Sequence, residues 1–180
     1  MLHNTTENYG AISKGLHWLM AVLIFALIGV GLYMAGLDDD DPSRKQLFFM
    51  HKSFGSLVMM LLVLRLVWNL ASPPPRPLAA LEPKDVLIAK GVQMILYLLM
   101  LAVPFSGYAL STLNGYPVSF FGLFEMPSFF AKNPEMGELA GEAHEILAWT
   151  ILGFVGLHAL GALKHRFLGR PEADVMGRML

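Results

Sequence analysis

Six histidines punctuate a chain of 180 residues that contains no cysteine. Four of them, His17, His51, His144 and His158, stand inside long apolar stretches. An imidazole in a lipid-facing helix is costly and is kept where it has a partner, so these four residues have chemistry to offer. His144 and His158 are 14 residues apart. At 1.5 Å and 100° per residue that is about 21 Å of rise and about 40° of net turn, which puts both on one helix face at two depths. His17 opens the first apolar stretch, level with His158, and His51 opens the second, which returns from the opposite membrane face, level with His144. Two same-depth pairs follow, His17 with His158 and His51 with His144. An iron porphyrin needs one axial nitrogen on each face, hence ligands from two different helices, and each pair supplies that. The pairs therefore point to two b-type haems (Fe), stacked across a bilayer. The absence of cysteine excludes disulfides, thiolate zinc, iron–sulfur clusters and covalent haem attachment, so the haems would be held non-covalently.

The other two histidines fit less well. His3 lies in a polar N-terminal segment and reads as solvated. His165 sits in the basic run Lys164-His165-Arg166, 21 residues after His144. That separation is about 31 Å, past the edge of the hydrocarbon, so His158 is the better ligand.

Helices must position these residues, because open strands in lipid leave backbone groups unpaired. The composition agrees: 55% of residues are hydrophobic, 15% are charged and the mean hydropathy is +0.53. A soluble domain has about 25% charged residues. One all-α membrane domain over 1–180 is expected, with spans at about 15–37, 46–71, 86–113 and 142–167 packed as a four-helix bundle. The first stretch has no Asp, Glu, Lys or Arg from Leu16 to Leu37, too long for a secretory signal, and reads as a retained span. Pro104 should kink the third helix, and the Pro73–Pro75 run marks a rigid exit from the second. Charge sets the orientation. Lys14, Arg65, Arg76, Lys84, Lys90, Lys164, Arg166, Arg170 and Arg178 lie on one side, nine of the 13 basic residues, against Arg44, Lys45, Lys52 and Lys132 on the other. The positive-inside rule then puts both termini in the cytoplasm. The opposite side carries nine of the 14 acidic residues. A net charge of −1 gives little support to nucleic acid as a partner, and none is expected.

Haem propionates call for cationic partners. Lys52, beside His51, and Arg65, 14 residues further along the same helix, are the candidates for cofactor binding, with Arg44 and Lys45 also candidates at the outer haem and Lys14 and Arg76 weaker ones. Arg65 could instead snorkel to the headgroups. Glu145 either orients His144 or caps the helix. Ala21, Gly55, Gly153, Gly156 and Gly161 leave room for a macrocycle, or for plain helix packing. The 12 methionines read as packing residues rather than axial ligands. The segment between the third and fourth spans, rich in phenylalanine from Tyr116 to Phe130, is either an aromatic belt at the interface or a lid touching a quinone. No phosphate loop, nucleophile elbow or zinc-protease motif is present, and no catalytic residue is assigned.

These residues carry a resemblance. Ile12-Ser13-Lys14-Gly15-Leu16-His17-Trp18, Met50-His51-Lys52-Ser53-Phe54-Gly55, Glu142-Ala143-His144-Glu145 and Gly156-Leu157-His158-Ala159 resemble the bacterial cytochrome b561 family, as do Leu64–Asn69 and Pro104-Phe105-Ser106-Gly107. The resemblance covers essentially the whole chain. It implies a bacterial inner-membrane di-haem protein with the same four ligands, which oxidises superoxide on the periplasmic side and reduces ubiquinone. The cationic residues Arg44, Lys45 and Lys52 could attract a small anion, although Asp38–Asp41 works against that. Two alternatives stand beside this superoxide:quinone oxidoreductase. One is an electron conduit between a dehydrogenase or hydrogenase partner and the quinone pool. The other is a His/Glu-lined metal or proton transporter without haem. Expected partners are membrane lipid, a quinone, and superoxide or a redox donor protein, with a homodimer as a further option.

Overall fold

The computed structural model describes residues 1–180. Four long helices dominate: α1 (Ala11–Ala35), α2 (Arg44–Ala71), α3 (Pro83–Leu113) and α4 (Pro134–Phe167). All four are long and apolar enough to cross a membrane. At 1.5 Å per residue even the shortest, 25 residues, reaches about 38 Å, beyond the roughly 30 Å of hydrocarbon. The helices outrun the apolar stretches because their ends are polar. The clearest case is α4, which starts at Pro134. Asn133 caps it by accepting from the Met136 N–H at 3.2 Å, Pro134 supplies a preset φ, and Glu135 faces the positive end of the helix dipole. Glu145 is therefore well inside the helix and caps nothing.

α1 packs on α2 and α3 packs on α4, with α2 against α3 joining the two pairs. α4 has no comparable packing against α1 or α2. That leaves a gap through the bundle. Only 19 of 180 residues are buried, so most side chains face either lipid or this internal space. α3 continues through Pro104.

Both chain ends lie at one end of the bundle, called here the terminal end. Lys14 Nζ donates to the Leu180 carbonyl at 2.7 Å and the Trp18 indole to the Met179 carbonyl at 2.9 Å. A 3-10 turn, Pro171–Ala173, turns the chain back after α4. At the opposite, loop end, residues 114–133 form a largely exposed cap around a two-stranded antiparallel hairpin, β1 (Ser119–Phe120) and β2 (Phe124–Glu125). Its tip uses Phe121 and Gly122 at φ 52° and 75°, a left-handed turn that glycine makes easily. Fully buried Ser53 accepts from the Phe121 N–H at 3.1 Å and donates to the Ser119 carbonyl at 3.0 Å, fastening the hairpin to α2. Tyr108 donates to the Pro127 carbonyl at 2.6 Å and accepts from the Phe129 N–H at 3.0 Å.

Candidate haem-binding sites

Each of the four intramembrane histidines faces a histidine of another helix. His17 of α1 meets His158 of α4 with ring centroids 6.1 Å apart and planes at 65°. His51 of α2 meets His144 of α4 at 6.3 Å and 85°. Both pairs bridge the gap that helix packing leaves open, and all four rings are half-buried.

The donor set says what such a pair could hold. No three His, Cys, Asp or Glu side chains gather anywhere in the molecule as a metal cluster would require. A bare ion in a protein takes three or four protein ligands. Two imidazoles alone suit a metal whose remaining ligands arrive with it, as the four ring nitrogens of a porphyrin do. The spacing suits it too. Two metal–nitrogen bonds of about 2 Å, plus about 1.1 Å from each nitrogen to its ring centre, put the centroids about 6 Å apart.

His144 shows how the fold prepares one ring. Its Nδ1 lies 3.0 Å from the Val103 carbonyl oxygen, which only accepts, so Nδ1 carries the proton and Nε2 keeps its lone pair free. Ser106 Oγ donates to the same carbonyl at 2.8 Å and lies 3.1 Å from Nδ1. Gly107 completes the seat. A Cβ there would stand 2.9 Å from His144 Cε1, closer than real contacts allow. Val103, Ser106 and Gly107 thus cradle His144 from α3, a role the sequence pattern does not reveal. His51 is held by packing alone: its Nδ1 is buried with no partner, and its Cε1 is 3.4 Å from where a Gly31 Cβ would be.

A cavity of about 700 Å³ opens between α1 and α4 around His17 and His158, lined mostly by apolar residues such as Met20, Ala21, Ile24, Ile151 and Val155. That volume is in the range of organic cofactor pockets. A smaller apolar cleft of about 180 Å³ lies beside His51. Gly55, Gly153, Gly156 and Gly161 all present open space where a Cβ would be.

The two predicted cations behave differently. Arg65 lines the large cavity, stacks 5.8 Å from the Tyr97 ring centre and approaches His17 Nδ1 to 3.4 Å with both terminal nitrogens. Lys52 points to the loop end, where its ammonium donates to Ser111 Oγ at 3.2 Å and to the Pro117 carbonyl at 3.0 Å. Arg44 is paired with Asp39 at 3.1 Å and donates to the Leu37 carbonyl. His165 lies beside Asp85 of α3 at 4.0 Å, away from both pairs, and exposed His3 leans on Trp68. Outside the spans, burial holds the Tyr9 phenol above its ordinary pKa at the edge of the large cavity.

Comparison with known proteins bears on the same residues. A family profile described as prokaryotic cytochrome b561 matches residues 8–179. The chain is 40% identical over 177 residues to cytochrome b561 homolog 2 of Escherichia coli (strain K12), covering 98% of this chain and 93% of that one. It is 29% identical over 163 residues to the probable superoxide oxidase CybB of Yersinia pestis, covering 90% of each. Cytochrome b561 homolog 1 of Escherichia coli (strain K12) is 27% identical over 160 residues, 87% of this chain and 89% of that one.

Proposed function

The chain belongs to the prokaryotic cytochrome b561 family of b-type membrane electron carriers, and from that premise we propose that it holds two haems, one between His17 and His158 and one between His51 and His144, and passes electrons from superoxide to ubiquinone. Its four spans and its family make it a multi-pass protein of the bacterial inner membrane. In this reading both termini are cytoplasmic, which puts the nine-residue basic majority inside and the loop end in the periplasm. The observation that carries the proposal is the pair of facing imidazole sets, 6.1 and 6.3 Å apart, bridging one bundle gap.

Haem, when bound, supplies one-electron redox chemistry. The protein's residues do the rest. Val103 and Ser106 hold His144 in the tautomer that leaves Nε2 basic. Met20, Ile24, Ile151 and Val155 keep water from the space beside His17 and His158. The net reaction balances as two superoxide anions, one ubiquinone and two protons giving two dioxygen and one ubiquinol. Superoxide as donor is supported by the name of the Yersinia pestis relative and by cations at the loop end. Arg44 is neutralised by Asp39, so attraction of the anion falls to Lys45 and Lys52. Ubiquinone, being lipid-soluble, reaches the protein through the bilayer.

Purified protein should show a Soret band and two haems per chain. His17→Ala and His158→Ala should each lose the same haem, and His51→Ala and His144→Ala the other. A crossed pattern, or one haem surviving all four changes, sinks the assignment. Superoxide should reduce the wild-type protein and ubiquinone reoxidise it. Inertness towards superoxide, with a redox subunit co-purifying, would transfer the function to an electron conduit.

A further inference from the structure

The large cavity carries a charge that its own lining does not balance. Arg65, Arg76, Lys90 and Arg178 line it, and no aspartate or glutamate does. None of the four joins any of the molecule's ion pairs. Arg76 and Lys90 are exposed and stay hydrated, whereas Arg65 and Arg178 are half-buried. A guanidinium withdrawn from water without an anion is destabilising.

Arg178 is held at this cavity by a set of contacts from the last ten residues. Asp174 pairs with Arg166 and accepts the Gly177 N–H at 3.0 Å. Met179 and Leu180 accept from Trp18 and Lys14 of α1. Arg178 itself donates to the Arg76 carbonyl at 2.9 Å and lies 6.0 Å from the Tyr9 ring centre. Its Nε is buried and has no acceptor. Arg65 is in a similar position. Its approach to His17 needs a lone pair on Nδ1. With His17 holding a metal through Nε2, Nδ1 would carry the proton and not accept, which would leave the guanidinium only the Tyr97 ring and no anion.

We propose that segment 171–180 is part of the cofactor site: it closes the terminal mouth of the large cavity and brings Arg178, with Arg65, to bind a carboxylate of the porphyrin held between His17 and His158. This rests on the haem assignment above. A porphyrin propionate serves both, because a carboxylate accepts paired N–H donors and offsets one of the two half-buried positive charges. A guanidinium there also offsets the carboxylate's negative charge, which favours the reduced haem.

The test uses the full-length holoprotein, with the midpoint potential of each haem resolved by spectroelectrochemistry. Arg178→Gln should make the His17/His158 haem harder to reduce by about three- to tenfold, about 28–59 mV downward at 59 mV per decade for one electron. The His51/His144 haem should not move, and its constancy shows that the variant is folded. Arg178→Lys should restore most of the shift. Reconstitution with haem dimethyl ester, which has no free carboxylate, should make wild type and Arg178→Gln coincide. A haem-loaded Arg178→Gln protein with an unshifted potential overturns this inference alone. So does a shift that survives esterification and disappears on delipidation, which would mark the anion as a lipid phosphate. A wild-type protein without haem overturns both this inference and the assignment beneath it.

Discussion

Replacing Gly107 with alanine would place a methyl carbon 2.9 Å from Cε1 and 3.1 Å from Nδ1 of His144, where ordinary contact begins at 3.4 Å. Either the imidazole or the α3 backbone must give by about 0.5 Å, the difference between those two distances. Metal–ligand bonds tolerate about 0.2 Å. The same displacement strains the 3.0 Å bond from Nδ1 to the Val103 carbonyl. Overpacking costs about 1–3 kcal/mol, and loss of a ligating histidine's outer partner costs about 10–100-fold in affinity. The haem between His51 and His144 should therefore be held about 10–100-fold more weakly, with the other haem unaffected. Competition for haem with an apo-globin, followed at the wavelengths of each haem, measures this. Gly31→Ala is the matched control, since its Cβ would stand 3.4 Å from His51 Cε1 and meets only ordinary contact. Its effect should stay below about threefold. Wild-type affinity in Gly107→Ala, or equal losses in both variants, would refute the claim that α3 seats His144.

Three further outcomes are expected. Ser53→Ala leaves the Phe121 N–H and the Ser119 carbonyl without their partner, so the loop-end cap should lose about 1–3 kcal/mol and its amides should exchange faster than those of α2. Lys52→Met removes the bonds to Ser111 and Pro117, each worth about 1 kcal/mol, and should speed proteolysis within 114–133; unchanged cleavage would mean that the lysine is not an anchor. The Asp174 carboxyl is held below its usual 3.8 by the Gly177 N–H, with Arg166 adding to it. Its contribution to docking the terminal segment is thus full above that value and is lost only as pH falls through the lower folded one. Carboxypeptidase sensitivity should stay flat from pH 8 to 5 and rise only in stronger acid.

The helices were legible because each span is a long apolar run, and lipid leaves such a run little alternative to an α-helix. The histidine pairs were legible for a related reason: in helices that cross one slab, residue number converts to depth. Helix ends were not. Pro134 to Gly141 is polar enough to read as loop, and the structure shows it to be helix, capped by Asn133 through its bond from the Met136 N–H. Lys52 adjoins His51 in sequence, but adjacent helical residues point about 100° apart, and its bonds to Ser111 and Pro117 at the loop end were not legible. Glu145 is no cap because α4 begins at Pro134, and the partners of His144 come from α3.

Sequence by itself determined that this chain lives in lipid, that any haem is held without cysteine, and which histidines share a depth. All three follow from composition and from a fixed rise per residue. The tertiary structure alone decided that α4 stands off from α1 and α2, that Val103, Ser106 and Gly107 seat His144, and that Arg178 reaches a cavity also lined by Arg65. The contacts involved, from Gly107 with His144 to Arg178 with Arg76, join residues 37 to 102 positions apart, and helical periodicity carries no information across such distances.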